Sequence, residues 1–359
     1  MGGTPKPCER RSVMSSVLTD QIVPDYIGAT TSGDPQGPVS GGVAIQSPHP
    51  SSVSPAPEQF GLGDTTLPPV VVGDTLFEDP GYVSFDIYET AAVQSAIVAS
   101  CPHAGRGYPA GMLAMAAQPV EALRGLEDFG VDCLLPGLAA VGIPTLVNRV
   151  ARAFLDVNRD ASALDSAMFD GPVKAAKPCH HVRAGYGLIP KLTAARKPIY
   201  ANRLDAAEAL LRTTIVHAPY HAALQRLTDK AMQQHGHVLL VDFHSMPGQD
   251  RMNNALPDII FGDGHGTTLD RATVDAVSGF FKDAGLSIGW NHPYAGGHIT
   301  RSNGDARSAR QALQIEINRN LYMDGPARLD SQRTLGLRET ISAFGAFLVT
   351  TFDETGTAA

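Results

Sequence analysis

With 359 residues, 43% of them hydrophobic and 18% charged, the chain has the usage of a soluble globular protein with ample material for a core, which excludes fibrous and wholly disordered classes. Its formal net charge of −8, with Lys and Arg spread thinly and no basic block, leaves no electrostatic footprint for a phosphate backbone and excludes nucleic acid as a partner. The four cysteines, Cys8, Cys101, Cys133 and Cys179, form no CxxC pair, no run reaches the roughly 18 apolar residues of a membrane span, and no secretory signal is legible, so the expectation is a cytoplasmic protein with reduced thiols.

Residues 1–75 are crowded with Gly, Pro, Ser and Thr (GATTSGDPQGPVSGG, then SPHPSSVSPAPEQFGLG), a composition that cannot bury enough apolar surface to offset chain entropy. They predict a disordered leader. Residues 76–359 predict one α/β domain, because short apolar runs ending in polar, Gly-rich loops alternate with longer helical periodicities. Strands are expected at SAIVAS (95–100), ARAFLDV (151–157), HVLLVDF (237–243) and ALQIEI (312–317). Helices are expected over 204–234, 268–283 and 330–350, covering the sheet faces.

Ligands bind beyond the carboxyl ends of strands in open α/β sheets, so the polar residues that follow the apolar runs are the candidates for chemistry. CPHAGRGYP (101–109) supplies His103 and Arg106, and VDFHSMPG (241–248) supplies His244 with Asp242 two residues earlier on the same strand face. Imidazoles at two strand ends suit zinc, which needs a third protein ligand and leaves a fourth position for water. LEDFGVDCLL (126–135) offers Glu127, Asp128 and Asp132, although such carboxylates also serve as helix N-terminal charges. FLDVNRD (154–160) delivers Asp156, Asn158 and Arg159, the last two a sensible clamp for a substrate carboxylate, with Arg159 equally part of a surface ion pair. In LQIEINRNLYM (313–323), Glu316 lies in an apolar strand, where a carboxylate must be paired with a partner such as Arg319 or Tyr322, or be functional. The loop NHPYAGGHITR (291–301) carries His292, His298 and Arg301 on a glycine pair that permits close backbone approach or a tight turn.

Taken in order, PHAGRGYP, LEDFGVDCLL, LDVNRD with LDSAMFDGP, PYHAALQRL, VDFHSMPG, DIIFGD, PYAGGHITR and LQIEINRNLYM resemble the N-formylglutamate amidohydrolases over about residues 95–323. The resemblance implies a mixed central sheet flanked by helices, of the zinc-carboxypeptidase (phosphorylase/hydrolase-like) type and related in layout to aspartoacylases. It implies one Zn2+ per chain held by His103, Asp128 and His244, with Glu127 the alternative acidic ligand because Gly130 and Cys133 depart from the family's pattern. It further implies Asn158 and Arg159 on the substrate's α-carboxylate, Arg301 on its second carboxylate, Glu316 as the base, and a place in histidine catabolism.

The mechanism expected from these residues is hydrolysis of a small N-acyl amino acid, with Glu316 taking a proton from water and returning it to the leaving amine. Arg106 either stabilises the oxyanion or forms a structural salt bridge. Competing readings keep the site but change the bond, as in an aspartoacylase-like deacylase or a carboxypeptidase on short peptides, or drop catalysis for a zinc- and ligand-binding module. A serine hydrolase is excluded because there is no GxSxG elbow, and Ser245 points to the opposite face from His244.

Overall fold

The computed structural model describes residues 71–73, 84–89 and 95–352, all within the unit Ser52–Ala359. The expected leader therefore lies outside the described residues, except for Val71–Gly73, which pairs in parallel with Gly107–Pro109.

Apolar β-branched runs form a seven-stranded mixed sheet. Its strands are β1 (Phe85–Tyr88), β2 (Ile97–Cys101), β3 (Thr145–Asn148), β4 (Val238–Met246), β5 (Ile259–Gly262), β6 (Ile288–Trp290) and β7 (Arg310–Asn318). The order across the sheet is β6-β5-β7-β4-β2-β3-β1. The inner strands β3, β2, β4 and β7 run parallel, β5 and β6 run parallel to each other but against β7, and β1 runs against β3. All nine residues of β4 are buried, as befits a central strand covered on both faces.

Strand alternation sorts the core into two layers. Val98, Leu146, Leu240 and Ala312 face a layer built with helix α2 (Ala218–His235), through Tyr220, Ala223, Leu224 and Leu227. Ala99, Val147, Val241, Phe243, Ile315 and Ile317 face the other layer, which is covered by α3 (Arg271–Asp283) and α5 (Ser331–Phe352) through Val277, Phe281, Ile341, Phe344 and Leu348. Helix starts follow the short acidic side chains: Asp205 accepts from Ala207 N and Asp270 from Thr273 N.

Two sequence expectations need correction. The run 151–157 is not a strand but a buried turn segment, in which the amides of Phe154 and Leu155 fold back onto Ala151 O. Its apolar content reflects burial, which cannot by itself distinguish a strand from a packed loop; the strand is β3, just upstream. Arg212, fully buried, pins this segment by donating from Nη1 to Phe154 O at 3.1 Å. The helix expected over 204–234 is interrupted: α1 (Ala206–Arg212) passes through a π-helical turn, Thr213–His217, into α2. Pro219 explains the break, since it has no N–H and its ring collides with the carbonyl one turn back. Among the described residues, no helix is long and apolar enough to cross a membrane.

Candidate active site

Because β2, β4 and β7 are parallel, their carboxyl ends open on the same edge of the sheet. There, on the α2 face, the alternating positions turn from apolar to polar: Ser100 on β2, Asp242 and His244 on β4, Gln314 and Glu316 on β7. Register places Gln314 opposite Asp242 and Glu316 opposite His244. The loop after β2 brings in His103, and the amide of Asp128 is tied to His103 O at 3.0 Å, so the acidic segment is fixed to the same edge.

These residues converge. His244 Nδ1 lies 2.8 Å from Asp128 Oδ2 and 3.1 Å from His103 Nδ1, and His103 Nδ1 lies 3.3 Å from the same carboxylate oxygen. The outer nitrogens are held from behind, His103 Nε2 by Asp156 Oδ1 at 2.6 Å and His244 Nε2 by Asp242 Oδ2 at 2.9 Å. Carboxylates only accept, so each Nε2 carries its proton, and each Nδ1 turns inward to Asp128 Oδ2, where it meets either a proton shared with that carboxylate or a cation in its place. Two ring nitrogens and a carboxylate oxygen thus face one point, an arrangement that calls for positive charge at its centre, as protons or as a metal ion. Their separations approach the edge, about 3.3 Å, of a tetrahedron with zinc-like bonds of about 2.0 Å. These three residues therefore fit a divalent ion.

The electrostatics agree. Burial would lower the His244 imidazole, but Asp242 and Asp128 outweigh it and hold it well above its ordinary value. Asp128 and Asp156 are both driven well below the usual carboxylate range despite burial, Asp128 by hydrogen bonds from the two histidines and Asp156 by Arg152, Arg159 and His103. Glu316 goes the other way: burial raises it to about 7, with His244 opposing.

The remaining candidates separate into groups. Asp128, not Glu127, meets the histidines; Glu127 accepts from Tyr108 Oη at 2.7 Å and pairs with Arg124. Asn158 packs behind the cluster, with Nδ2 at 3.1 Å from His244 Nε2 and Oδ1 accepting from Ile299 N. The glycine loop makes this possible: a Cβ on Gly297 would stand 2.4 Å from Asn158 Nδ2. Arg159 donates to Tyr186 O and Asn158 O and lies 3.5 Å from Asp156. Glu316 is held by Gln314 Nε2 at 2.9 Å, whereas Arg319 turns to Ser245, Glu127 O and Asp128, and Tyr322 donates to Phe129 O. Arg106 gives both terminal nitrogens to Asp132, at 2.5 and 3.2 Å, the geometry of the salt-bridge alternative. Arg301 is exposed and clamps Gly296 O and Ala295 O of the glycine loop.

Sequence reasoning missed Asp156 as the support of His103, and Arg152, whose Nε donates to Asp156 Oδ2 at 2.9 Å. Arg152 lies four positions before Asp156, and only the turn that joins them brings the two side chains together. Arg152 also feels Asp128 and Glu316, which with Asp156 raise its guanidinium against the opposing effect of burial.

Imidazoles and carboxylates gathered at the carboxyl edge of a mixed sheet make a candidate metal centre on an α/β fold. The chain belongs to the N-formylglutamate amidohydrolase family, which it matches over residues 95–323. It is thereby a hydrolase of amide bonds. The N-formylglutamate deformylases of Pseudomonas putida and Pseudomonas aeruginosa are each 28% identical to it, over 57% and 64% of this chain and 74% and 83% of theirs. The crystal structure of N-formylglutamate amidohydrolase from Ralstonia eutropha superposes with a TM-score of 0.70 at 31% identity, covering 75% of this chain and 98% of that one.

Proposed function

We propose that the chain is a zinc-dependent, cytoplasmic amidohydrolase that cleaves N-formyl-L-glutamate, or a close N-acyl amino acid, to the free amino acid and formate or another small acid. The observation that carries this reading is the convergence of His103 Nδ1, His244 Nδ1 and Asp128 Oδ2, with Glu316 in register beside His244. Family membership supports the substrate class.

Zinc held by these three residues would supply Lewis acidity, polarising the amide carbonyl and acidifying water. The chain's own residues do the rest. Glu316, its carboxyl raised by burial to about 7, accepts in its carboxylate form the proton of the attacking water and then, as the neutral acid, passes it to the leaving nitrogen, so that the amine departs uncharged. Arg152, with Nε fixed on Asp156 and its side chain partly exposed, takes the role expected of Arg106: its outer nitrogens neutralise the oxyanion. Arg106 belongs to the scaffold, in a network with Asp132, Arg149 and Asp86. The α-carboxylate position expected of Asn158 and Arg159 falls to Arg159, since the Asn158 amide is spent on His244 and Ile299 N, and Arg301 serves the second carboxylate from the glycine loop.

Metal analysis of the purified protein, coupled to formate release from N-formyl-L-glutamate, tests the reading. Chelation should abolish turnover and zinc restore it; full activity in metal-free protein would overturn the scheme. Parallel assays on acetyl- and peptidyl-glutamate distinguish a deacylase or a carboxypeptidase, and stoichiometric zinc without any hydrolysis would mark a binding module.

A further inference from the structure

We propose that His217, His221 and His298 form a second divalent-metal site, one that takes a transition ion such as Zn2+, Co2+ or Ni2+, apart from the His103, Asp128 and His244 cluster. Each of the three offers a ring nitrogen, and these atoms lie within 4.8 Å of one another. His217 ends the π-helical turn and His221 sits one helical turn later in α2, so the pair shares a face, with ring centroids 4.2 Å apart. His298 opens α4 (His298–Asn303) and reaches the pair from the glycine loop, its ring 5.5 Å from that of His221 and 6.5 Å from that of His217.

Hydrogen bonding dictates what this cluster can hold. His217 Nε2 lies 2.8 Å from Arg159 O, and His221 Nε2 lies 2.8 Å from Val157 O. Carbonyl oxygens only accept, so both Nε2 atoms carry protons and both Nδ1 atoms keep lone pairs. Their N–H donors are spent on the backbone, which leaves little with which to bind an anion. What remains is a set of imidazole acceptors oriented by backbone carbonyls, the outer-shell arrangement that metal-binding histidines use.

Burial lowers all three imidazoles, His221 to about 4, and neighbouring imidazoles deepen the effect at His217 and His221. Neutral rings are the ligand form, and nitrogen-only donor sets select late first-row ions and zinc. Asp160, its carboxyl lowered first by hydrogen bonds from Ser162 and further by His298 and His217, adds negative charge beside the trio. Closing the trio to the roughly 3.3 Å spacing of a tetrahedral site requires a rotation of His298, which is only half-buried and whose ring has no hydrogen bond among the described residues.

The two clusters lie back to back across residues 157–159. The carbonyls of Val157 and Arg159 serve the three-histidine cluster, while the Asn158 side chain packs on His244.

The test is metal stoichiometry. Full-length protein is stripped with chelator, equilibrated with micromolar Co2+, freed of unbound metal by gel filtration and analysed for cobalt, with circular dichroism as the check on folding. Wild type should hold two equivalents, and the double variant His221→Gln/His298→Gln one fewer. A second arm uses His103→Asn/His244→Asn, which should retain one equivalent, show a Co2+ absorption band and rise in Tm on adding Co2+. Adding the His221→Gln/His298→Gln changes to it should remove all three signals. Equal cobalt in wild type and His221→Gln/His298→Gln would overturn the proposal, as would a folded His103→Asn/His244→Asn variant that binds none. Failure of the first site instead appears as a His103→Asn/His244→Asn variant that loses no cobalt relative to wild type, so the two outcomes are distinguishable.

Discussion

Glu316 and His244 stand opposite each other in the β7–β4 ladder, so their side chains leave adjacent parallel strands, about 4.8 Å apart, on the same face. The sheet thus fixes the spacing of the proposed base and a proposed ligand, and Gln314 holds the base in place. Glu316→Gln keeps the shape and the Gln314 neighbour but cannot accept a proton. Its kcat should fall by about 10²–10⁴ while zinc content stays that of wild type. A kcat within a few-fold of wild type, measured by formate release, would remove Glu316 from the chemistry.

The same substitution has a pH signature in metal-free protein. Burial lifts the Glu316 carboxyl from 4.5 to about 7, so the folded chain holds this proton more tightly than the unfolded one. That contribution to stability is complete below about 4.5 and is lost as pH rises through about 7. Glutamine stays neutral throughout, so metal-free Glu316→Gln should melt a few degrees above metal-free wild type at pH 8, and the gap should close toward pH 5. Zinc should shrink the gap at pH 8, since a cation beside Glu316 favours its charged form. Parallel melting curves across the whole range would refute the buried, uncompensated carboxylate.

Two arginines near the site should separate cleanly. Arg106 is buried and bidentate on Asp132, so Arg106→Met leaves that carboxylate to Arg149 alone and should cost about 1.5–3 kcal/mol of stability, with kcat of the folded fraction little changed. Arg152 is more exposed and spends only Nε on Asp156, so Arg152→Met should lower kcat by about 10²–10³ with a smaller change in Tm. Urea titration alongside steady-state kinetics reads both. The reverse pattern would return the oxyanion to Arg106.

Much of this site was legible because parallel strands end where their apolar runs end. His103, Asp242, His244 and Glu316 were found by reading polar residues off strand termini, and the resemblance singled out Asp128 from the three carboxylates that LEDFGVDCLL offers. The run 151–157 shows the limit of that reading: it is as apolar as a strand, yet its amides turn back on Ala151 and its carbonyls go to Arg212 and His221, partners far away in sequence. The outer support of His103 was missed for the same reason, since Asp156 meets His103 only because that turn folds as it does. Nor does hydropathy reveal the π turn, which arises from one missing amide hydrogen at Pro219.

Asp156 offers the sharpest test of how the ligands are oriented. Its Oδ1 fixes the His103 tautomer from 2.6 Å, and its Oδ2 is shared by Arg152 and Arg159, so a single carboxylate links a proposed ligand to two substrate-side arginines. Asp156→Asn preserves the volume but removes the charge, and its amide can face His103 Nε2 as a donor, which would turn the ring's proton to Nδ1 and its lone pair away from the centre. Zinc affinity should drop by about 10–100-fold, measured by chelator competition, because the ligand loses both its orientation and its basicity. Activity at saturating zinc should recover only in part, since Arg152 would remain released from its anchor. Unchanged zinc affinity would mean that His103 does not bind metal through Nδ1.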